Sequence, residues 1–389
     1  MSANEMTESD ILYIGVDDKT LDLFEGQYKI PNGVSYNSYV ITDDKTAVID
    51  TVDERGTKEW LANLDAALNG RKPNYLIILH MEPDHAANIK NFAERYPNTK
   101  IVANAKAFGM IEQFFPEFTV NDRKIVVAEQ SELSLGKHNL RFIMAPMVHW
   151  PEVMTVYDER EKTLFSADAF GKFGTLDIEE DWITEARRYY FNIVGRYGVQ
   201  VQALLKKAKT MDIKKICPLH GPVLTGDIDY YLNKYDLWSR YDPEDKGVFI
   251  ACASVYGHTK KAAEELQNAL RQKGVTAALA DLARDDMAAA VENAFRYDKT
   301  VFASVTLDGE IFPAMKDFIS HLQNKLWQKR TVAFIENGSW MPVAAKKMKA
   351  ELENFKNLTF IDKTITVKSA MTKENIAAIA ELANILAMD

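Results

Sequence analysis

The sequence is poor in the features of disulfide-rich and iron–sulfur proteins. Only two cysteines occur in 389 residues, Cys217 and Cys252, and one disulfide would be a weak framework for so long a chain. No C-x-x-C motif is present, which excludes a rubredoxin-type iron centre or an iron–sulfur cluster held by that motif. If the protein transfers electrons, they therefore come from another molecule or through another kind of cofactor.

Extended basic blocks and long apolar runs are also missing. The formal net charge is -9, so nucleic acid is not expected as a main partner. No run reaches the roughly 18 apolar residues of a membrane span, and no membrane association is expected. The opening segment MSANEMTESD is polar and acidic and lacks the basic-then-apolar order of a signal peptide. Together with the scarcity of cysteine, this predicts a cytoplasmic protein.

Length and composition favour two folded domains. With 47% hydrophobic residues the chain has enough apolar material for full cores, and its length exceeds that of a typical single domain. The charged segment 240–247 contains Pro and Gly and separates two regions of different pattern. We therefore predict one domain of residues 1–244 and a second of residues 245–389.

The two regions differ in how strands and helices follow one another. In the first, short β-rich runs such as 33–41 alternate with helical stretches such as 86–95, which predicts sheets with helices packed outside. In the second, the alternation is regular and predicts a parallel, doubly wound sheet. Ligands of such sheets bind beyond the carboxyl ends of the strands. The strands predicted in the second region are 247–254, 275–279, 300–306, 331–336 and 359–367.

Side chains that bind metals cluster after an apolar run of the first region. The segment His80-Met-Glu-Pro-Asp-His85 presents four of them, and burying them is costly unless a cation pairs with them. His149, Asp168 and His220 each end another β-like run. Any one of these is more often a turn residue, but four of the seven histidines of the chain fall in such positions. The predicted metal ligands are His80, Glu82, Asp84, His85, His149, Asp168 and His220.

Three polar loops of the second region predict a site for a phosphate and a flat ring. The first lies between a strand and a helix, where hydroxyls and backbone N–H groups can bind a phosphate, although such a turn can also be only a helix cap. No G-x-x-x-x-G-K-[ST] or G-x-G-x-x-G motif occurs, so a P-loop NTPase is unsupported. Tyr256 and Trp340 are the candidate ring contacts, although Trp340 could equally lie in the core. The candidate residues are Ser254, Val255, Tyr256, Gly257, His258, Thr259, Ser304, Val305, Thr306, Leu307, Asp308, Gly309, Asn337, Gly338, Ser339 and Trp340.

These motifs resemble known families over essentially the whole chain. The metal-ligand pattern resembles the metallo-β-lactamase fold family, most of whose hydrolases carry a second His where this chain has Glu82. The Glu variant, with the segments His149-Trp-Pro-Glu152, Asp168-Ala-Phe-Gly171 and His220-Gly-Pro222, resembles the flavodiiron proteins, and the second half resembles flavodoxin. The resemblance implies an α/β fold, with an N-terminal metallo-β-lactamase-like αββα sandwich followed by a flavodoxin-like doubly wound parallel sheet.

The same resemblance implies cofactors and an activity. It implies FMN, with its phosphate at 254–259 and its ring between the other two loops, and two iron ions. Two histidines and a carboxylate per metal suit non-haem iron. The implied reaction reduces dioxygen to water, nitric oxide to nitrous oxide, or both, with electrons from an external donor such as rubredoxin, in a head-to-tail homodimer or a dimer of dimers. The implied ligand sets are His80, Glu82 and His149 for one iron, Asp84, His85 and His220 for the other, and Asp168 as the bridge.

Two other interpretations remain open. One is a zinc-dependent hydrolase fused to a flavodoxin domain, against which Glu82 argues because zinc hydrolysis favours all-His sites with water. The other is an FMN electron carrier whose N-terminal domain is not catalytic, against which the complete set of metal-ligand types argues.

An acidic Asp308 near the flavin ring would disfavour an anionic reduced flavin and lower its potential.

Several remaining side chains are expected to have no role at the metal site. Cys217 more often packs as a small hydrophobic residue than it binds a metal, and Met81 is expected to face the core. The three remaining histidines are expected to be surface or loop residues without a metal role. They are His138, His258 and His321.

Overall fold

The computed structural model describes residues 9–388, so most of the opening segment used for the localisation prediction lies outside the described residues. The described chain divides into two compact units, residues 9–190 with 199–236 and residues 191–198 with 237–388. Within the described part of the chain, no helix is both long and apolar enough to span a membrane. The two units are described separately below.

The first unit is built on two large sheets, with the strand orders β1-β6-β7-β8-β9-β10 and β11-β12-β13-β14-β15, and two small ones, β2-β5 and β3-β4. The strands are β1 (Ile11–Tyr13), β2 (Val16–Asp18), β3 (Leu23–Phe24), β4 (Tyr28–Lys29), β5 (Val34–Tyr36), β6 (Tyr39–Ile41), β7 (Ala47–Ile49), β8 (Tyr75–Ile77), β9 (Lys100–Asn104), β10 (Lys124–Val127), β11 (Glu132–Ser134), β12 (Asn139–Met144), β13 (Met154–Asp158), β14 (Thr163–Phe165) and β15 (Lys215–Cys217). The helices of this part of the chain are α1 (Thr57–Leu68), α2 (Pro83–Ala86), α3 (Ile89–Arg95), α4 (Ala105–Phe114), α5 (Trp182–Tyr189), α6 (Gly198–Ala208) and α7 (Ile228–Ser239).

The burial of the central strands shows why this unit is layered. Every residue of β6 and β7 is buried, so the first sheet is covered on both faces. On one side Tyr39 of β6 packs edge-on against Phe165 of β14 in the second sheet, with ring centroids 5.4 Å apart. Trp60 of α1 is fully buried, and its indole N–H donates to Ser38 Oγ at 3.1 Å. The predicted sandwich of two sheets with outer helices is confirmed.

The second unit contains one parallel sheet. Its strands are β16 (Asp245–Ala253), β17 (Ala277–Asp281), β18 (Tyr297–Leu307), β19 (Glu310–Ile311), β20 (Thr331–Asn337) and β21 (Thr359–Val367). Its helices are α8 (His258–Gln272), α9 (Met287–Arg296), α10 (Pro313–Asn324), α11 (Ala344–Leu352) and α12 (Lys373–Leu386). The strand order β17-β16-β18-β20-β21 is parallel throughout, and only the short β19 pairs antiparallel with β18. Since this is the flavodoxin order 2-1-3-4-5, the predicted doubly wound sheet is confirmed.

The elements differ from the predicted ones in a few places. Helix α9 is not predicted from the sequence, although its N-cap residue Asp286 accepts from Ala289 N at 3.1 Å. The single strand predicted over 33–41 is interrupted after Tyr36, and at the break the Asn37 side chain donates to the carbonyls of Pro218 and Gly221. The break ties this strand to the loop that carries His220.

His138, predicted to be an ordinary surface or loop residue, lies in the loop between β11 and β12 but not at the surface. Its side chain is fully buried, and its Nδ1 lies 3.0 Å from Asp158 Oδ2, so a carboxylate stabilises the buried imidazole. His258 is exposed and His321 is half-buried beside Asp317. Cys217 and Met81 are buried, as predicted.

Candidate metal centre and flavin site

Four loops of the first unit carry the seven predicted metal ligands. His80 and Glu82 lie between β8 and α2, and Asp84 and His85 occupy the single turn of α2. The other three follow the ends of β12, β14 and β15, as predicted from the apolar runs. All four histidines and both aspartates are buried, and Glu82 is partly buried. The seven side chains therefore meet below the surface at the ends of strands, which is where the sequence pattern places them.

One set of ligand atoms belongs to His80, Glu82, His149 and Asp168. Glu82 Oε2 lies 3.3 Å from His80 Nε2 and 2.9 Å from His149 Nε2. Asp168 Oδ2 lies 3.4 Å and 3.1 Å from the same two nitrogens. Atoms spaced in this way surround a point about 2 Å from each of them, which is an ordinary length for a bond from a transition metal to nitrogen or oxygen.

A second set belongs to Asp84, His85 and His220. Asp84 Oδ2 lies 3.4 Å from His85 Nε2 and 3.3 Å from His220 Nε2. The two Nε2 atoms are 3.1 Å apart. The second oxygen of Asp168 faces this set, with Oδ1 3.2 Å from His85 Nε2 and 3.9 Å from His220 Nε2. One carboxylate thus presents one oxygen to each set.

Hydrogen bonds behind two of the histidines decide which ring nitrogen is free for a metal. His220 Nδ1 lies 2.8 Å from the carbonyl oxygen of Ser35, which can only accept, so Nδ1 carries the proton. His80 Nδ1 lies 2.8 Å from Glu152 Oε1 and donates to it in the same way. In both neutral rings the lone pair is then on Nε2, the atom that points into the cluster.

The buried oxygen and nitrogen atoms of the two sets are better suited to bind a cation than to hydrogen-bond to one another. Within the described residues, both carboxylate oxygens of Asp84 and of Asp168 lack a well-aligned hydrogen bond, and so does His85 Nδ1. Burial alone raises the pKa of Asp168, but His80, His149 and His85 outweigh it and hold this pKa far below its ordinary value. Burial lowers the pKa of His149, yet Asp168 and Glu82 raise it to about 9. Positive charge is therefore favoured here, and metal ions would supply it without protons.

The sequence analysis missed Tyr189, which lies beside the centre. Its ring packs against His220 with centroids 5.5 Å apart, and its hydroxyl has no hydrogen-bond partner among the residues described. Burial, then the negative charges of Asp168 and Glu82, raise the pKa of Tyr189 well above its ordinary value, so the hydroxyl stays protonated. A protonated donor near the metal set can hydrogen-bond to a small ligand. No local pattern distinguishes this residue, because its neighbours Tyr190 and Phe191 are aromatic as well.

An open cavity of about 780 Å³ lies at the carboxyl edge of the sheet in the second unit. The residues around it come from the loops after β16, β18 and β20, next to the point where the strand order reverses. All predicted flavin-site residues line it except Gly257 and Ser304. Ser304 is buried inside β18 rather than in the loop that follows. The sequence analysis missed Met341 and Ser369, which also line the cavity.

The loops around this cavity are held by their own hydrogen bonds. Ser254 Oγ accepts from Gly257 N at 3.1 Å, at the start of α8. Asn337 and Ser369 exchange two bonds, of 2.9 and 3.1 Å, and so fasten a fourth loop to the third. Trp340 is 91% exposed, which excludes the core alternative, and Tyr256 is equally exposed. A preformed polar wall with two exposed aromatic rings suits a phosphorylated ligand with a flat ring.

Comparisons with known proteins agree with both halves of this description. The family described as ODP family beta lactamase matches residues 34–221, and the family described as Flavodoxin domain matches residues 249–368. An uncharacterized protein of Methanocaldococcus jannaschii is 30% identical over 97% of this chain and 96% of its own. The nitric oxide reductase of Moorella thermoacetica is 29% identical over 80% of each chain.

A solved structure extends the likeness to both units in one chain. The flavodiiron protein from Giardia intestinalis matches with a TM-score of 0.88 and 25% identity, covering 97% of this chain and 94% of that one. The chain belongs to the flavodiiron protein family. The two atom sets that share Asp168 are its candidate metal sites, and the cavity at the carboxyl edge of the parallel sheet is its candidate flavin site.

Proposed function

We propose that this chain is an oxidoreductase that reduces dioxygen to water, nitric oxide to nitrous oxide, or both. Electrons from an external donor such as rubredoxin pass through FMN to a non-haem diiron site. The observation that carries the proposal is the pair of matched ligand sets joined by Asp168 in a chain that also has a flavin-type cavity. We assign the metals to a domain of residues 1–244 and FMN to a domain of residues 245–389.

The proposed ligands divide into the two sets of the structure. His80, Glu82 and His149 would hold one iron, Asp84, His85 and His220 would hold the other, and Asp168 would offer one oxygen to each. When bound, the iron pair supplies redox-active metals that bind and reduce a diatomic molecule, and FMN supplies transfer of electrons one at a time. Reduction of one dioxygen to water needs four electrons and four protons, and joining two nitric oxide molecules into nitrous oxide and water needs two of each.

The residues of this chain orient the ligands and exclude water. Glu152 and the Ser35 carbonyl fix the Nε2 lone pairs of His80 and His220 toward the metals. Burial of the ligands limits access to small molecules, which suits a diatomic substrate. The Tyr189 hydroxyl keeps its proton and can donate a hydrogen bond to such a molecule. In the second domain, the turn at 254–259 and the N-terminus of α8 would bind the FMN phosphate.

Assembly and location are proposed from the family alone. We propose a head-to-tail homodimer or a dimer of dimers in the cytoplasm, which brings the FMN of one copy to the irons of another. Sedimentation of the purified protein, followed by inter-subunit cross-linking between the two domains, tests this arrangement. A monomer at micromolar concentration that still turns over at the full rate would contradict it.

The activity is tested with anaerobically reduced protein that contains both cofactors, given dioxygen or nitric oxide. The expected result is reoxidation of FMN with water or nitrous oxide as product, and loss of both in a His149→Ala variant that keeps its FMN. Hydrogen peroxide as the product, unaffected by that variant, would indicate an FMN carrier with a non-catalytic first domain. Zinc at the site together with esterase activity would indicate the hydrolase.

A further inference from the structure

The two metal positions have the same kinds of ligating atoms. Each offers two histidine Nε2 atoms, one carboxylate of its own and one oxygen of Asp168. Nothing in the ligand types makes one metal different from the other. A difference must come from the groups behind the ligands, which set their basicity and orientation.

Behind the first position lies a buried carboxylate, Glu152. It is 1% exposed, and its Oε1 accepts from both His80 Nδ1 at 2.8 Å and Met81 N at 2.9 Å. Its Oε2 is buried and has no hydrogen-bond partner in the described part of the chain. Asn104 donates to the main-chain carbonyl of Glu152 and so fixes this segment. The carboxylate therefore acts on His80 with no nearby cation of the chain hydrogen-bonded to it.

Behind the second position, the described residues place no equivalent carboxylate on a histidine Nδ1. His220 Nδ1 donates to a neutral carbonyl, that of Ser35, and His85 Nδ1 has no acceptor among the described residues. The nearby carboxyl of Asp53 accepts from Arg55 N at 2.8 Å, and it is hydrogen-bonded to neither histidine of this position in the described part of the chain. A carboxylate behind an imidazole makes the ring a stronger donor to a metal, whereas a carbonyl does so less.

Another buried carboxyl near the ligands, that of Asp50, is not placed as Glu152 is. Its Oδ1 accepts from Leu79 N at 2.8 Å, close to the start of the His80 loop. Its Oδ2 has no hydrogen-bond partner among the described residues, so Asp50 contacts backbone N–H groups and not the imidazole of a ligand. Glu152 is the carboxylate that accepts from the Nδ1 atom of a ligand.

We propose that Glu152 is a positioning residue that makes the two metal positions inequivalent. By accepting a hydrogen bond from His80 Nδ1, Glu152 raises the metal affinity of the position formed by His80, Glu82 and His149. It also makes the iron at that position the first to be oxidised. When an outer-sphere oxidant such as ferricyanide removes one electron from the fully reduced pair, the ferric ion is at this position and the ferrous ion is at the Asp84, His85 and His220 position. This inference rests on the proposed diiron function and adds an order to the two irons.

The tests use two substitutions of Glu152 and one matched control variant. Glu152→Gln keeps an oxygen that accepts the Nδ1 proton and removes the charge, whereas Glu152→Ala removes both. Asp158→Asn is the control, because Asp158 lies behind the buried His138 in the same way, at 3.0 Å, and His138 belongs to neither of the two proposed iron-ligand sets. All four proteins are purified without air with iron and FMN bound.

The first readout is metal retention against a graded chelator. We expect Glu152→Ala to release one iron at about 10- to 100-fold less chelator than the native protein and to hold the other as the native protein does. The chelator concentration that releases this iron from Glu152→Gln should lie between those for Glu152→Ala and for the native protein. Asp158→Asn should release its irons at the same concentrations as the native protein. Loss of both irons together, no change in either, or an equal effect in Asp158→Asn would overturn the proposal.

The second readout is a redox titration followed by Mössbauer and EPR spectroscopy, which does not depend on turnover. In Glu152→Gln the first one-electron oxidation should shift to higher potential, and only the iron that oxidises first should change its Mössbauer parameters. An unchanged first oxidation, or a change confined to the second iron, would refute the order. A native protein without two irons would instead refute the proposed function, so the two failures are distinguishable.

Discussion

Replacing Asp168 by Asn should leave one metal position occupied and empty the other. Asp168 offers Oδ2 to His80 and His149 at 3.4 and 3.1 Å, and Oδ1 to His85 and His220 at 3.2 and 3.9 Å. Asn has one oxygen and one NH2 group, so it can serve a single position. The shorter average distance favours keeping the oxygen at the first position. The NH2 group, which cannot bind a cation, would then face the second.

The size of the effect follows from the lost charged contact. A hydrogen bond or contact to a charged group contributes about 1.5–3 kcal/mol, so affinity at the second position should fall about 10- to 150-fold. The assay measures iron per chain after anaerobic dialysis against a chelator, at a concentration that leaves two irons per chain in the native protein. We expect one iron in Asp168→Asn and an unchanged FMN content, because the flavin residues belong to the other unit. Two irons held with native affinity would refute the bridging role of Asp168.

Three further predictions follow from single side chains. Ser254→Ala should weaken FMN binding about tenfold, because the hydroxyl lines the flavin cavity and accepts from Gly257 N; a fluorescence titration with an unchanged Kd would contradict this. Burial raises the pKa values of Cys217 and Cys252 to about 12, so neither thiol should react with iodoacetamide at pH 8 until the chain is unfolded, and labelling of the native protein would show the burial to be wrong. Burial alone lowers the pKa of His138, but the interaction with Asp158 outweighs burial and raises this pKa in the folded protein. The charged imidazole therefore contributes fully to the stability of the first unit below the unfolded pKa of about 6.5, and this contribution is lost as pH rises through the folded pKa. Denaturant unfolding should therefore show the largest gap between native protein and His138→Asn near pH 6 and a smaller one near pH 9, and a constant gap would contradict the charge pairing.

The metal ligands were accessible to sequence analysis because they are local in the chain. Four of them lie within the six residues 80–85, directly after an apolar strand, and the other three each end a strand. Strand ends that meet at one edge of a sheet bring such side chains together, whatever the loops between them. The parallel order of the second unit followed in the same way from the regular alternation of its elements.

What the sequence could not show depends on partners that are distant in the chain. His138 looks like a loop histidine until Asp158 is found behind it, and the sequence assigns no role to Glu152 until its contact with His80 is seen. Ser369 is joined to the flavin cavity by its two bonds to Asn337 and by a hydroxyl–hydroxyl bond to Ser339. Tyr189 is one of several aromatic residues on or near α5, and only the fold places its hydroxyl near Asp168. In each case a tertiary contact, not a local pattern, defines the role.

The most direct test of the account is the content of iron, zinc and FMN per chain in protein purified without air from cells with ample iron. The account predicts about two irons and one FMN, with little zinc. Two zincs per chain would contradict the diiron assignment and favour a hydrolase. FMN without any metal would contradict it as well and leave a flavin electron carrier.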